Sequence, residues 1–157
     1  MTDKANLQFR LAKLTDIKTL VEINIDDDED YRTINQKMFR ELVKSKLVLV
    51  ALENKEIVGL LYWRPDFLGR FNQWYLKQVT VRKDARGKGV GVQLLNYFLN
   101  FAKKKKVEKV FGDIHNDNYP SLNMALNAGA LISGTIEGVG NTEEKDERVM
   151  VRFELQS

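Results

Sequence analysis

Three glycines at alternate positions stand in the run Arg86-Gly87-Lys88-Gly89-Val90-Gly91. With no Cβ on one side of so short a turn, backbone N–H groups can close on a ligand. Gly91, Leu94, Leu95, Phe98 and Ala102 then recur at spacings of three and four, the stripe of a helix packed on a sheet. The helix therefore opens inside the turn. Its first four N–H groups lack intrahelical acceptors, and with the positive end of the helix dipole they form an anion site to which Arg86 and Lys88 add charge. The chemistry is diphosphate binding. A Walker A loop needs Ser or Thr after Gly-Lys, where this chain has Gly89, and a dinucleotide fingerprint on Gly87 and Gly89 needs glycine where Val92 stands. Both are excluded. Two further sets of residues carry chemistry. His115 is the only histidine, the usual proton carrier near neutral pH. The run Asp26-Asp27-Asp28-Glu29-Asp30 reads either as a solvated loop or as an electrostatic funnel for a cationic substrate.

The elements around these residues follow from periodicity. Leu7, Phe9 and Leu11 alternate with polar residues as a half-buried strand, and Thr15-Asp16 offers a cap for a helix on Ile17, Leu20 and Val21. Ile34, Met38, Phe39 and Leu42 mark a second helix beyond the acidic run. Residues 46–52 and 56–63 read as an antiparallel pair around Glu53-Asn54-Lys55, where Asn can adopt the left-handed conformation of a tight hairpin. Pro65 closes the second strand, and residues 73–82 form the strand that delivers the chain to the glycine turn. Lys103 to Lys106 complement the negative end of the central helix. Residues 109–115 form a short buried strand on Val110, Phe111 and Ile114. Asn116-Asp117-Asn118-Tyr119-Pro120-Ser121 then starts a helix, which Gly129 stops. Residues 131–139 and 148–155 are the final strands, joined by a polar hairpin loop over 140–147. This order predicts an α/β layered domain with a mixed sheet.

Composition narrows the function classes. A chain of 157 residues with 43% hydrophobic content supports one domain with a substantial core, spanning 1–157. No cysteine and one histidine exclude thiolate and multi-histidine metal centres, so no metal site is expected. The net charge of +3, from 25 basic and 22 acidic residues, does not favour nucleic-acid binding. No segment has the pattern of an export signal or the length of a membrane span, so a cytoplasmic protein without membrane association is expected.

The Q/R-x-x-G-x-G/A pattern at Arg86 to Gly91, between a strand ending Val79-Thr80-Val81 and an amphipathic helix, resembles the GNAT superfamily of acyl-CoA-dependent N-acyltransferases. The order of elements resembles that fold over nearly the whole chain. A second signature, Asn118 followed by Gly129 around the last helix, fits as well, with Ala130 where the family has an aromatic residue. The resemblance implies a single-domain GNAT-like fold, a mixed and mostly antiparallel sheet with helices on both faces. It also implies that strands 73–82 and 109–115 splay to admit the pantetheine arm of acetyl-CoA. By the same resemblance Val79, Thr80 and Val81 pair with the pantetheine amides and polarise the thioester carbonyl. Arg86, Gly87, Lys88, Gly89, Val90 and Gly91 hold the diphosphate, and Asn118 hydrogen-bonds the arm.

The tyrosine that family members commonly use to protonate the departing thiolate is replaced by Ala125, and residues 73–81 contain no carboxylate to serve as base. His115 and Tyr119 are the candidates for those catalytic roles. The leading expectation is an N-acetyltransferase moving an acetyl group from acetyl-CoA to a primary amine of a small molecule or peptide, by direct transfer in a ternary complex. The acidic run favours a cationic acceptor, and a homodimer is compatible with the family. A non-catalytic acyl-CoA-binding or sensor domain is the alternative. A nucleic-acid-binding domain using Lys103 to Lys106 has the least support, because no aromatic residues interleave with that basic run.

Overall fold

The computed structural model describes residues 4–24, 32–137 and 147–155. Among these residues four α-helices and seven strands follow in the expected order. They are β1 (Gln8–Leu11), α1 (Ile17–Asn24), α2 (Arg32–Lys44), β2 (Val48–Glu53), β3 (Glu56–Arg64), β4 (Gln73–Val81), α3 (Val90–Lys104), β5 (Lys109–His115), α4 (Tyr119–Asn127), β6 (Leu131–Glu137) and β7 (Glu147–Glu154). The strands are ordered β1-β2-β3-β4-β5-β7-β6 in a mixed sheet. The acidic run at 26–30 and most of the polar loop at 140–147 lie outside the described residues. The chain divides into two compact units, residues 1–63 with 78–98 and residues 64–77 with 99–157.

In the first unit β1, β2 and β3 pair antiparallel. β2 and β3 are buried over most of their length, and successive side chains enter opposite faces. Val48, Val50, Leu60 and Tyr62 meet Ile17, Leu20 and Val21 of α1 and Phe39 and Val43 of α2 in one cluster. On the other face Trp63 packs on Phe98 of α3, with ring centroids 5.0 Å apart. Gly59 sets how closely α3 approaches, since a Cβ there would stand 3.1 Å from Val90 Cγ1 and 3.4 Å from the Thr80 carbonyl oxygen. Glycine here seats the first turn of the helix.

The β2–β3 hairpin turns through two left-handed residues, Asn54 at φ 51° and Lys55 at φ 68°. That pair of angles is what a two-residue turn needs to match the strand twist. Before α1, residues Leu14–Asp16 form one 3-10 turn, and Asp16 caps backwards, accepting from the Lys13 N–H at 2.7 Å. The Asp16 carboxylate also binds Arg10 at 2.7 Å. Burial would raise its pKa, but the Arg10 and Lys13 hydrogen bonds outweigh burial and hold it below the ordinary value.

In the second unit the first part of β4 runs parallel to β5, with register from Gln73↔Lys109 to Leu76↔Gly112. β5 continues to His115 paired antiparallel with β7, and β7 pairs antiparallel with β6. Val110, Val151 and Phe153 are buried there, and Phe67 packs against Tyr75 and Phe111. Gly129, at φ 95°, ends α4 as expected.

Candidate active site

The glycine turn belongs to the first unit. One 3-10 turn at Lys83–Ala85 leaves β4, and Gly87 and Gly89 follow at φ 80° and 78°. α3 then begins at Val90. Its opening hydrogen bond runs from the Gln93 N–H to the Gly89 carbonyl at 3.1 Å, so the amides immediately ahead of Gln93 are the ones a helix start leaves without intrahelical acceptors. A Cβ on Gly87 would meet nothing within 4 Å, and one on Gly89 only Gln93 Nε2 at 3.9 Å. The space beside the turn is open. Two side chains were expected to add positive charge. Arg86 Nε donates to the Val81 carbonyl at 3.1 Å, which ties the turn to the strand end that carries Val79 and Thr80. Lys88 Nζ lies 3.6 Å from Glu53 Oε1, a half-exposed pair that offsets part of its charge without fixing it in place. The Lys88 carbonyl accepts from the Ala5 N–H, so the N-terminal segment braces the turn from behind.

Alternation along β4 conceals a polar chain that sequence reasoning missed. The Tyr62 hydroxyl donates to Gln78 Oε1 at 2.8 Å, and Gln78 Nε2 donates to Thr80 Oγ1 at 2.8 Å. Burial pushes the Tyr62 phenol pKa up, so it remains a neutral donor. The available signal was the i, i+2 spacing of Gln78 and Thr80, which puts both side chains on one face of the strand. The partner on β3 had no local signal.

The second unit gathers the remaining candidates at the end of β5. His115 Nδ1 lies 2.9 Å from Asp117 Oδ1, and that nitrogen is enclosed although the side chain as a whole is 42% exposed. His115 stands opposite Arg148 on β7 in register, and Arg148 Nη1 donates to Asp113 Oδ2 at 2.8 Å, two positions before His115. Asn116 Nδ2 binds the Glu147 carboxylate at 3.1 Å. The backbone turns sharply, with the Asn118 N–H on the His115 carbonyl and the Tyr119 N–H on the Asp117 carbonyl, both at 3.0 Å. Asn118 caps α4 through its side-chain oxygen, which accepts from the Ser121 N–H at 3.3 Å. Tyr119 is the first residue of α4 and is largely exposed. Ala125, at the family's tyrosine position, is buried on the inner face of α4.

The structure therefore gathers Val79 to Val81 with Arg86 to Gly91 in one unit, and His115, Asn118 and Tyr119 in the other. Asp117, Asp113 and Arg148 were not anticipated. Asp117 had a signal in hindsight, an acid two residues after the only histidine at a turn, whereas Arg148 reaches the site only through strand pairing.

The profile of the Acetyltransferase (GNAT) family matches residues 11–130, and the chain belongs to that family. The chain is 37% identical over 78 residues to an L-methionine sulfoximine/L-methionine sulfone acetyltransferase of Pseudomonas aeruginosa, a match covering 50% of this chain and 44% of that protein. The matched stretch thus spans less than half the length of that relative. Among solved structures, an N-acetyltransferase from Staphylococcus aureus superposes with a TM-score of 0.79 at 20% identity, covering 97% of this chain and all of that one. A Salmonella typhimurium protein assigned as an acetyltransferase, solved with acetyl-CoA, superposes with a TM-score of 0.77 at 19% identity, covering 96% of this chain and 94% of that one. These likenesses establish the GNAT fold.

Proposed function

We propose that the chain is one N-acetyltransferase domain that moves an acetyl group from acetyl-CoA to a primary amine by direct transfer in a ternary complex, in the cytoplasm. The observation that carries the reading is the pair of left-handed glycines, Gly87 and Gly89, opening onto the start of α3 in a chain of this family. Amides at such a helix start bind phosphate oxygens with no side chain in the way. Arg86 and Lys88 lend charge, and backbone groups of Val79, Thr80 and Val81 hold the pantetheine amides. Asn118 uses its side-chain oxygen as a helix cap, so its Nδ2 is the group suited to donate to the arm.

In the reaction the amine lone pair forms a C–N bond to the acyl carbon and the C–S bond breaks. One proton leaves the amine and one is taken up by the thiolate. We assign the first transfer to His115 as base and the second to the Tyr119 hydroxyl as acid, since Ala125 provides no hydroxyl. The acidic run 26–30 favours a cationic acceptor. The partial match to a methionine sulfoximine/sulfone acetyltransferase brings polar amino acids into consideration as acceptors.

Incubation with acetyl-CoA and an acceptor panel, following free-thiol release, tests the proposal. The panel should hold polyamines, aminoglycosides, lysine-like amines, L-methionine sulfone and acidic amines. Acceptor-dependent thiol release is expected. Tight acetyl-CoA binding with no release across the panel would instead support an acyl-CoA sensor, the reading that Ala125 favours.

A further inference from the structure

The geometry points to the 64–72 loop and the end of α3 as a surface that docks on an anionic lipid bilayer, with Leu68 and Phe71 entering the apolar layer and nearby cations meeting lipid phosphates. Both segments belong to the second unit. They meet where β4 and β5 begin: the Glu108 N–H donates to the Asn72 carbonyl at 2.8 Å, Gln73 stands in register with Lys109, and Trp74 packs on Phe101 of α3. The loop is held in shape. Phe67 packs against Tyr75 and Phe111, and the N–H groups of Gly69, Arg70 and Gln73 donate to the carbonyls of Asp66, Phe67 and Arg70. Leu68 and Phe71 instead stand 79% and 83% exposed. Leu68 does so at φ 56°, a conformation that glycine or asparagine enters more easily than leucine, so neither packing nor backbone angle accounts for an apolar side chain there.

Charge supplies the chemistry of the partner. Residues 64–72 and 103–108 carry six cations, Arg64, Arg70 and Lys103 to Lys106, against two acids, Asp66 and Glu108, and that net +4 exceeds the +3 of the whole chain. All six are exposed, and none forms an ion pair among the described residues. Complementing the helix end explains part of the lysine run but not Arg64 or Arg70, which lie outside α3. A single-stranded nucleic acid would want flat rings along its path. One phenyl and one aliphatic tip flanked by cations instead match the two signals of a peripheral membrane protein, apolar insertion and attraction to acidic headgroups. Such binding needs no spanning helix, so the lack of a span in the sequence does not bear on it.

Co-sedimentation of the full chain with vesicles is the test. At low salt the protein should pellet with phosphatidylcholine vesicles containing phosphatidylglycerol, stay in solution with phosphatidylcholine alone, and be released as added salt shortens the screening length. Leu68→Asn with Phe71→Ser should weaken partition onto the anionic vesicles roughly tenfold. Arg70→Gln with Lys103→Gln and Lys104→Gln should weaken it by about tenfold or more, and in both variants circular dichroism and acetyl-CoA affinity should match the wild type. Failure of the wild type to pellet with anionic vesicles overturns the inference. So does equal pelleting with neutral vesicles, or full anionic binding in the Leu68→Asn and Phe71→Ser variant, since the cations would then serve as a general polyanion site. A single-stranded oligonucleotide that strips the protein from vesicles at equal phosphate concentration would assign the surface to nucleic acid instead.

Discussion

Two turns carry the chemistry, and they are built from opposite materials. The turn at 86–91 works through its backbone: two left-handed glycines, a helix start and open space where side chains would be. The turn at 115–119 works through side chains: an imidazole against a carboxylate, an asparagine capping a helix and an exposed phenol. Backbone sites tolerate exchange of most neighbouring side chains, provided the φ angles survive. Side-chain sites depend on which groups each side chain meets and on what stands across the strand.

The largest effects should separate these two turns cleanly. His115→Gln should lower kcat about a hundredfold with acetyl-CoA affinity nearly unchanged, because a positioned base contributes on the order of 10² or more. Gly89→Val should do the reverse, weakening acetyl-CoA by about tenfold or more in calorimetry while the folded core persists, since a β-branched residue resists φ near +78°. If Gly89→Val binds normally, the backbone cradle is wrong. If His115→Gln loses affinity rather than turnover, the histidine belongs to donor binding and the division between the turns fails.

A second pair of variants calibrates stability within each unit. Asp16→Asn should cost about 2 kcal/mol near neutral pH, the range for hydrogen bonds to a charged group. The Asp16 pKa is lowered in the fold, so its contribution is complete above the unfolded value and fades as pH falls through the folded one. The gap between wild type and variant should therefore close in acid, and urea melts that keep it open at low pH would exclude the ionised pair as its source. Asn118→Ala should cost about 1 kcal/mol through the lost cap, whereas Asn118→Asp should keep that stability. If Asn118→Asp also keeps acetyl-CoA affinity, Nδ2 does not hold the arm.

How much of this was legible depended on how far apart the causes lie in sequence. Gly87, Gly89, Gly129 and the apolar stripe of α3 announce themselves within a few residues, and the resemblance drawn from them led to the right family and fold. The strand limits of β5 and the start of α4 were also local, fixed by Val110, Phe111 and the Asn118-Tyr119-Pro120 cap. What stayed hidden was long-range. Tyr62 meets Gln78 and Arg148 meets Asp113 across strands, and Lys88 of the glycine turn meets Glu53 at the end of β2, only once the chain has folded. No window along the chain contains both members of any of these pairs.

The smallest expected effect sharpens the same contrast, because the first unit also contains a left-handed hairpin turn built without glycine. At the β2–β3 hairpin Asn54 adopts φ 51° readily, its short polar side chain tolerating that region, but Lys55 at φ 68° carries a Cβ against the following carbonyl. That crowding costs roughly 1 kcal/mol, and glycine would remove it while adding conformational freedom to the unfolded chain worth about half as much. Lys55→Gly should therefore stabilise the protein by about 0.5 kcal/mol in urea unfolding, with acetyl-CoA affinity and turnover untouched. The same logic applied to Gly89→Ala predicts a loss of about 1 kcal/mol, since open space near the Cβ does not relieve the backbone. If Lys55→Gly destabilises, its side chain contributes packing that outweighs the strained φ. The two turns would then differ in their surroundings rather than in the residue type their backbone angles favour.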